Sequence, residues 1–130
     1  MLRMRALLAA LLFVASVVAS FSAAANNWSS LFKNGPAEFF DDEDMQLFLG
    51  AARKTLDGAA VNQTVSWENP KSKHRGDFTV LKEFDWKGNA CRQVRVRNEA
   101  QGRKSENSHN LCKVDGRWRL VAASQLKGKK

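Results

Sequence analysis

Two cysteines, Cys91 and Cys112, are the residues of this chain best suited to covalent chemistry. Such a pair can form a disulfide, contribute to a metal site, or leave a free thiol as nucleophile. A structural zinc site takes about four ligands, and the two histidines, His74 and His109, stand at no ligand spacing from the cysteines. A nucleophilic thiol needs a basic neighbour that lowers its pKa, and no motif supplies one. An even cysteine count in an oxidising compartment reads first as a disulfide; free thiols and a metal site are the alternatives. Glu68, His74 and Asp77 are residue types for acid–base work, yet no motif joins any two of them. A catalytic site needs nucleophile, base and charge stabiliser in one arrangement. The expectation is a chain that is not an enzyme and holds no cofactor and no metal.

Cations are the second chemical resource. Alternation along a strand puts Arg95 and Arg97 on one face, and Arg117 and Arg119 on one face of another strand. A basic sheet face of this kind suits a polyanion such as anionic lipid, lipopolysaccharide or peptidoglycan acids. The competing reading is a solvated face partly paired with Glu99 and Glu106. Nucleic acid is not expected, because no recognition motif is present and export removes the usual targets. Trp67, Trp86 and Trp118 also sit at alternating strand positions, so packing between helix and sheet is favoured over a glycan-binding platform.

The compartment is read from the N-terminus. Arg3 and Arg5 precede an uncharged apolar run, Ala6 to Val18, closed by small residues up to Ala25. These are the three regions of a secretory signal peptide, and Ala23 and Ala25 satisfy the cleavage rule, giving a mature start near Asn26. The run is too short for the roughly 20 residues that span a bilayer. No cysteine stands at the cut, so lipidation there is not expected. Cleavage removes two positive charges from a formal net charge of +8 and leaves +6. Roughly 105 residues remain, enough for one domain. The divisions expected are a signal peptide over 1–25, a leader over 26–40, a folded domain over 41–124 and a basic tail over 125–130.

The elements that position the side chains follow from periodicity. Asp41 or Asp42 can cap a helix whose apolar positions are Met45, Phe48, Leu49, Ala52 and Leu56, all on one face. Glu43 and Asp44 complement the positive end of its dipole, which explains the acidic run without a metal. Gly58 is expected to close this helix in the left-handed conformation. From Val61 the period becomes two. Strands are expected over Gln63–Trp67, over a long segment marked by Phe78, Val80, Phe84 and Trp86, over Cys91–Asn98, from about Ser105 to Val114, and over Arg117–Ala123. Asp115-Gly116 suits a two-residue hairpin turn. If Gln101-Gly102 is another, Cys91 lies opposite Cys112, Arg97 opposite Glu106 and Glu99 opposite Lys104. One register thus joins the cysteines and pairs two sets of opposite charges. Its other face is poorer, with Val94 opposite His109 and Val96 opposite Asn107. The fold class expected is α+β: one helix packed on a four- to five-stranded antiparallel meander, with one disulfide.

Trp67-Glu-Asn-Pro70, Gly76, Gly88-Asn-Ala-Cys91-Arg92 and Cys112-Lys-Val-Asp-Gly116-Arg-Trp118 occur in that order. In order and spacing they resemble the C-terminal domain of the rickettsial 17-kDa surface antigen family, over about residues 45–123. The resemblance implies a bacterial source, an envelope location and no enzymatic activity, and it carries over no catalytic residue. Typical members have a lipidated cysteine after the signal peptide and a glycine-rich segment before this domain; here Ala25 and a leader holding only Gly35 stand in those places. The functional expectation is an exported envelope or surface protein acting through interaction, its partner an envelope component such as anionic lipid, lipopolysaccharide or another envelope protein. A soluble periplasmic or secreted binding or inhibitor module is the alternative.

Overall fold

A computed structural model of the chain describes residues 32 and 35–127. The segment read as a signal peptide and the last three lysine-rich positions lie outside the described residues. A 3-10 turn, Pro36–Phe39, leads into α1 (Asp42–Gly58). Five strands follow: β1 (Thr64–Glu68), β2 (Arg75–Trp86), β3 (Asn89–Ala100), β4 (Arg103–Val114) and β5 (Arg117–Val121), and then a short helix, α2 (Ala123–Lys127). The strands form one antiparallel sheet in sequence order, so the expected helix-on-meander architecture is what the chain adopts. No helix among the described residues is long and apolar enough to cross a membrane.

The residues that join the long strands, and those before β5, take the conformations that two-residue hairpins need. Lys87-Gly88, Gln101-Gly102 and Asp115-Gly116 all have positive φ at both positions, the mirror-image turn whose twist matches that of the strands. The Gln101-Gly102 turn sets Cys91 opposite Cys112. The two are joined as a disulfide with sequence separation 21, and no described cysteine is free. In the chain-entropy description a loop of this length contributes roughly 3 kcal/mol.

One face of the sheet receives α1. Phe48, Ala51, Ala52 and Leu56 from the helix pack with Trp67, Phe78, Val94, Val96 and Leu111. The leader docks on the same core: the Phe40 ring lies 5.0 Å from Trp67 and 5.9 Å from Phe48, and Phe32 lies 5.3 Å from Phe48. The core is thin over β4, where half-buried His109 and exposed Asn107 share the face with Leu111.

The second strand departs from a plain alternation. A bulge between Val80 and Lys82 shifts the register, and one extra residue exchanges the two faces of everything that follows. Phe78 and Val80 therefore face α1, whereas Phe84 and Trp86 cross to the outer face. There they cover the disulfide, together with Val114, Val121 and Leu126 of α2. Trp86 thus packs in a second, smaller core and not between helix and sheet, while Trp67 and Trp118 belong to the main one. Leu126 also carries the packed domain past the boundary expected at residue 124.

Gly76 is required for a different reason from the turn glycines. A Cβ there would stand 2.6 Å from the Arg97 carbonyl oxygen and 2.7 Å from Asn98 Oδ1 and Trp67 Nε1. The Trp67 indole lies across this bare stretch of backbone, which explains a glycine a few residues after the tryptophan. Gly50, on α1, meets nothing within 4 Å. The same substitution should therefore have opposite signs. Gly76→Ala is expected to destabilise by about 1–3 kcal/mol through overpacking. Gly50→Ala is expected to stabilise by roughly 0.5–1 kcal/mol through helix propensity. Urea unfolding of the two variants checks both.

Candidate functional site

The most concentrated polar chemistry lies where α1 begins. Asp41 caps the helix: its Oδ1 accepts from the Asp44 backbone N–H at 2.8 Å, and Asp44 Oδ2 accepts from the Asp41 N–H at 2.9 Å. This is a capping box with an aspartate in the returning position. The Asp44 carboxylate is wholly buried. It also accepts from Asn69 Nδ2 at 2.8 Å, Ser72 Oγ at 2.7 Å and His74 Nδ1 at 2.7 Å. Burial alone would raise its pKa; hydrogen bonds from Ser72, the Asp41 backbone, His74 and Asn69 outweigh that and lower it to about 2.

The β1–β2 loop is built to deliver these donors. Asn69 Oδ1 accepts from the Lys71 N–H, the Asn69 carbonyl accepts from Lys73, and Ser72 Oγ accepts from the His74 N–H. Lys73 takes a positive φ of 64° to close the turn. His74 Nε2 meets the Gln101 amide nitrogen at 3.1 Å, with Gln101 in the β3–β4 turn. Gln101 donates in this arrangement, leaving the imidazole proton on Nδ1, directed at Asp44. An aspartate–histidine pair is also the base unit of many hydrolases. Here the imidazole is 5% exposed and both ring nitrogens are engaged by protein groups, so the pair links α1 to two loops. His74, which the sequence offers only as an acid–base residue type with no placed partner, is buried beside Asp44.

The other end of α1 is held by a cation. Gly58 remains helical, the cap is Ala59 with φ −74°, and no left-handed glycine closes the helix. Arg92 instead donates from Nη1 to the carbonyls of Thr55 at 2.7 Å and Ala59 at 2.6 Å. Its Nη2 pairs with Glu83 at 2.6 Å. A guanidinium serves the free carbonyls and the negative end of the dipole together, so a left-handed cap is unnecessary. Trp118 Nε1 donates to Asp57 Oδ1 at 3.0 Å on the same turn. The residues of the W-x-N-P, G-x-x-C-R and D-G-x-W stretches thus clamp α1 at both ends.

The sheet's outer face carries the cations. The register places Arg95, Arg97, Arg117 and Arg119 all on this face, but as two pairs and not one patch. Arg119 lies opposite Cys112, and Arg95 is four residues from Cys91 along β3, which at about 3.3 Å per residue puts it on the order of 15 Å away. Arg97 and Arg95 share Glu106 at 3.4 and 3.7 Å. The expected Arg97–Glu106 pair forms; Glu99 takes Arg75 at 2.9 Å instead of Lys104. No acid pairs with Arg117 or Arg119 among the described residues.

Two transverse rows alternate in sign across the strands. One runs Glu68, Arg75, Glu99, Lys104, and the next runs Ser66, Asp77, Arg97, Glu106. They line an open cleft of about 700 Å³. Among the described residues no group of three or more His, Cys, Asp or Glu is placed to hold a metal. No family model, no curated protein and no solved structure matches the chain.

The Asp44 cluster was not legible from spacing. Its donors are 25 to 30 residues away in sequence. The available signals were the Asp41-x-x-Asp44 capping pattern and the turn-forming Asn69-Pro70.

Acid should dismantle this cluster. A carboxyl whose folded pKa is depressed stabilises the fold above its ordinary value of 3.8, and that contribution is lost as pH falls toward about 2. The loss is on the order of 2 kcal/mol. Burial also pushes the His109 imidazole down from 6.5, which favours the neutral form and adds a loss as pH drops below that value. Asp44→Asn should cost about 2–4 kcal/mol at neutral pH and flatten the decline in stability between pH ~4 and ~2. Denaturant melts of both proteins over that range test this; an equally steep decline in the variant would contradict it.

Proposed function

We propose that this protein is an exported cell-envelope domain of the 17-kDa surface antigen type, working without catalysis by offering the face of its sheet opposite α1 to an anionic envelope component. The observation that carries this reading is the placement of Arg95, Arg97, Arg117 and Arg119 on one face. Arg95 and Arg97 are held beside Glu106. Arg117 and Arg119, on the short edge strand, are exposed and carry the net attraction.

The motif stretches that prompted the family resemblance have positions that suit a shared scaffold. Trp67 packs over Gly76, Asn69 serves Asp44, Arg92 caps α1 and Cys91 joins Cys112. A scaffold held in this way leaves its outer face open to variation, as expected of a domain that acts by contact. The N-terminal basic, apolar and small-residue segments supply the export step.

Anionic vesicles test the proposal. The protein should sediment with them at low salt and release steeply toward physiological salt, because exposed charges are screened beyond about 8–10 Å. Each charge removed near the surface should cost about 1 kcal/mol. Arg117→Glu with Arg119→Glu should abolish sedimentation and leave the fold intact. Reversal of Arg95 and Arg97, already paired with Glu106, should weaken it less. Failure of the unmodified protein to sediment even at low salt would overturn the proposal.

A further inference from the structure

The three long strands of the sheet are flanked by short ones. β1 pairs with β2 only over Arg75–Thr79, and β5 pairs with β4 only over Asn110–Val114. Half of each outer long strand therefore has no strand beside it among the described residues: Lys82–Trp86 of β2, and Arg103–His109 of β4. The β2 half begins at the bulge after Val80, and bulges turn an edge away from pairing. The β4 half has no register shift, and Arg103, Lys104, Glu106, Asn107 and Ser108 are all exposed.

Turn geometry says which backbone groups this edge presents. The two-residue turn at Gln101-Gly102 makes Ala100 and Arg103 a hydrogen-bonded pair, so odd-numbered residues of β4 direct N–H and C=O toward β3. Lys104, Glu106 and Ser108 direct theirs outward. The Val114–Arg117 pair beside the Asp115-Gly116 turn obeys the same parity. A lone lysine on an edge discourages pairing. A lysine and a glutamate two residues apart on one face are instead self-complementary under a two-fold axis.

We propose that β4 is a homodimer seam. Two copies join their β4 edges antiparallel about a two-fold axis at Ser105, setting Lys104 of each copy against the partner's Glu106. In this register both residues are among those with outward backbone groups, so each pair exchanges two main-chain hydrogen bonds. Sliding by one hydrogen-bonded pair in either direction sets Glu106 against its own copy or Lys104 against its own copy. Opposite charges directly across a strand pair attract and like charges repel, so the sequence selects the register.

The transverse rows continue across the seam. In this register the row Glu68, Arg75, Glu99, Lys104 continues into the partner's Glu106, the partner's Arg97 and the partner's Asp77. The sign alternates without a break, and the second row does the same in reverse. Lys104 has no ion pair among the described residues, and the seam supplies one. The two outer faces become one continuous surface with Arg117 and Arg119 from each copy.

Charge-changed partners test the seam. Lys104→Glu makes the edge acidic at both positions, and Glu106→Lys makes it basic at both. In sedimentation velocity over a concentration series, the unmodified protein should dimerise. Each variant alone should dimerise at least about tenfold more weakly. An equimolar mixture of the two should form a heterodimer, since every cross-strand pair is again opposite in sign. Ser105→Cys should also form an intermolecular disulfide on oxidation, because residues opposed at the axis without hydrogen bonds have Cα atoms about 4.5 Å apart. Circular dichroism establishes that the variants are folded. A monomeric unmodified protein at every concentration, or a dimer indifferent to both substitutions, would overturn the seam.

Discussion

An ionised carboxylate shut away from water must find its hydrogen bonds inside the protein, and the buried Asp44 carboxylate finds four. They come from its own helix cap, from two side chains of the β1–β2 loop, and from the first residue position before β2. Through His74 the network reaches Gln101 in the β3–β4 turn. The requirement is severe, since loss of one donor leaves a charge unsatisfied in the interior. It is also specific, because the four donors fix the position of α1 along its axis as well as its rotation. Apolar contacts between α1 and the sheet do not have that directionality. The Arg92 guanidinium fixes the opposite end of the helix by the converse logic, a cation serving free carbonyls.

Much of the fold was readable because it rests on local periodicity. The apolar spacing from Met45 to Leu56 marked α1, and two turn dipeptides, Gln101-Gly102 and Asp115-Gly116, marked hairpins. The Gln101-Gly102 turn alone determined the β3–β4 register, which set Cys91 opposite Cys112. What was not legible depends on contacts between distant segments. The bulge after Val80 sent Phe84 and Trp86 to the outer face, and nothing in the alternation announces one extra residue. The helix end at Ala59 needed no left-handed glycine because Arg92 arrives from β3. No motif joins His74 to an acid in the sequence, yet its ring is buried against Asp44, 30 residues away.

The division of labour between the sheet faces links the scaffold to the proposed activity. The face under α1 holds the apolar core and the Asp44 and Arg92 clamps. The outer face combines a small core around the disulfide with rows of alternating charge. Such rows are largely self-neutralising, whereas Arg117, Arg119 and Lys104 are outer-face cations with no acidic partner among the described residues. Surface ion pairs of this kind add little stability, about 0–1 kcal/mol each. Their larger consequence is specificity, since alternation in sign favours one register over its neighbours.

Native-state hydrogen exchange tests most directly whether the Asp44 network organises the domain. The amides to follow are Asp44 N–H, bonded to Asp41, and Lys73 N–H, bonded to the Asn69 carbonyl, with the central β3 amides as reference. If the network ties helix and loop into the sheet, Asp44 and Lys73 should exchange only through the same global opening as β3, with the same denaturant dependence. Exchange of Asp44 and Lys73 through a local opening of much lower free energy, while β3 stays protected, would show that the sheet holds without the network and would contradict the account.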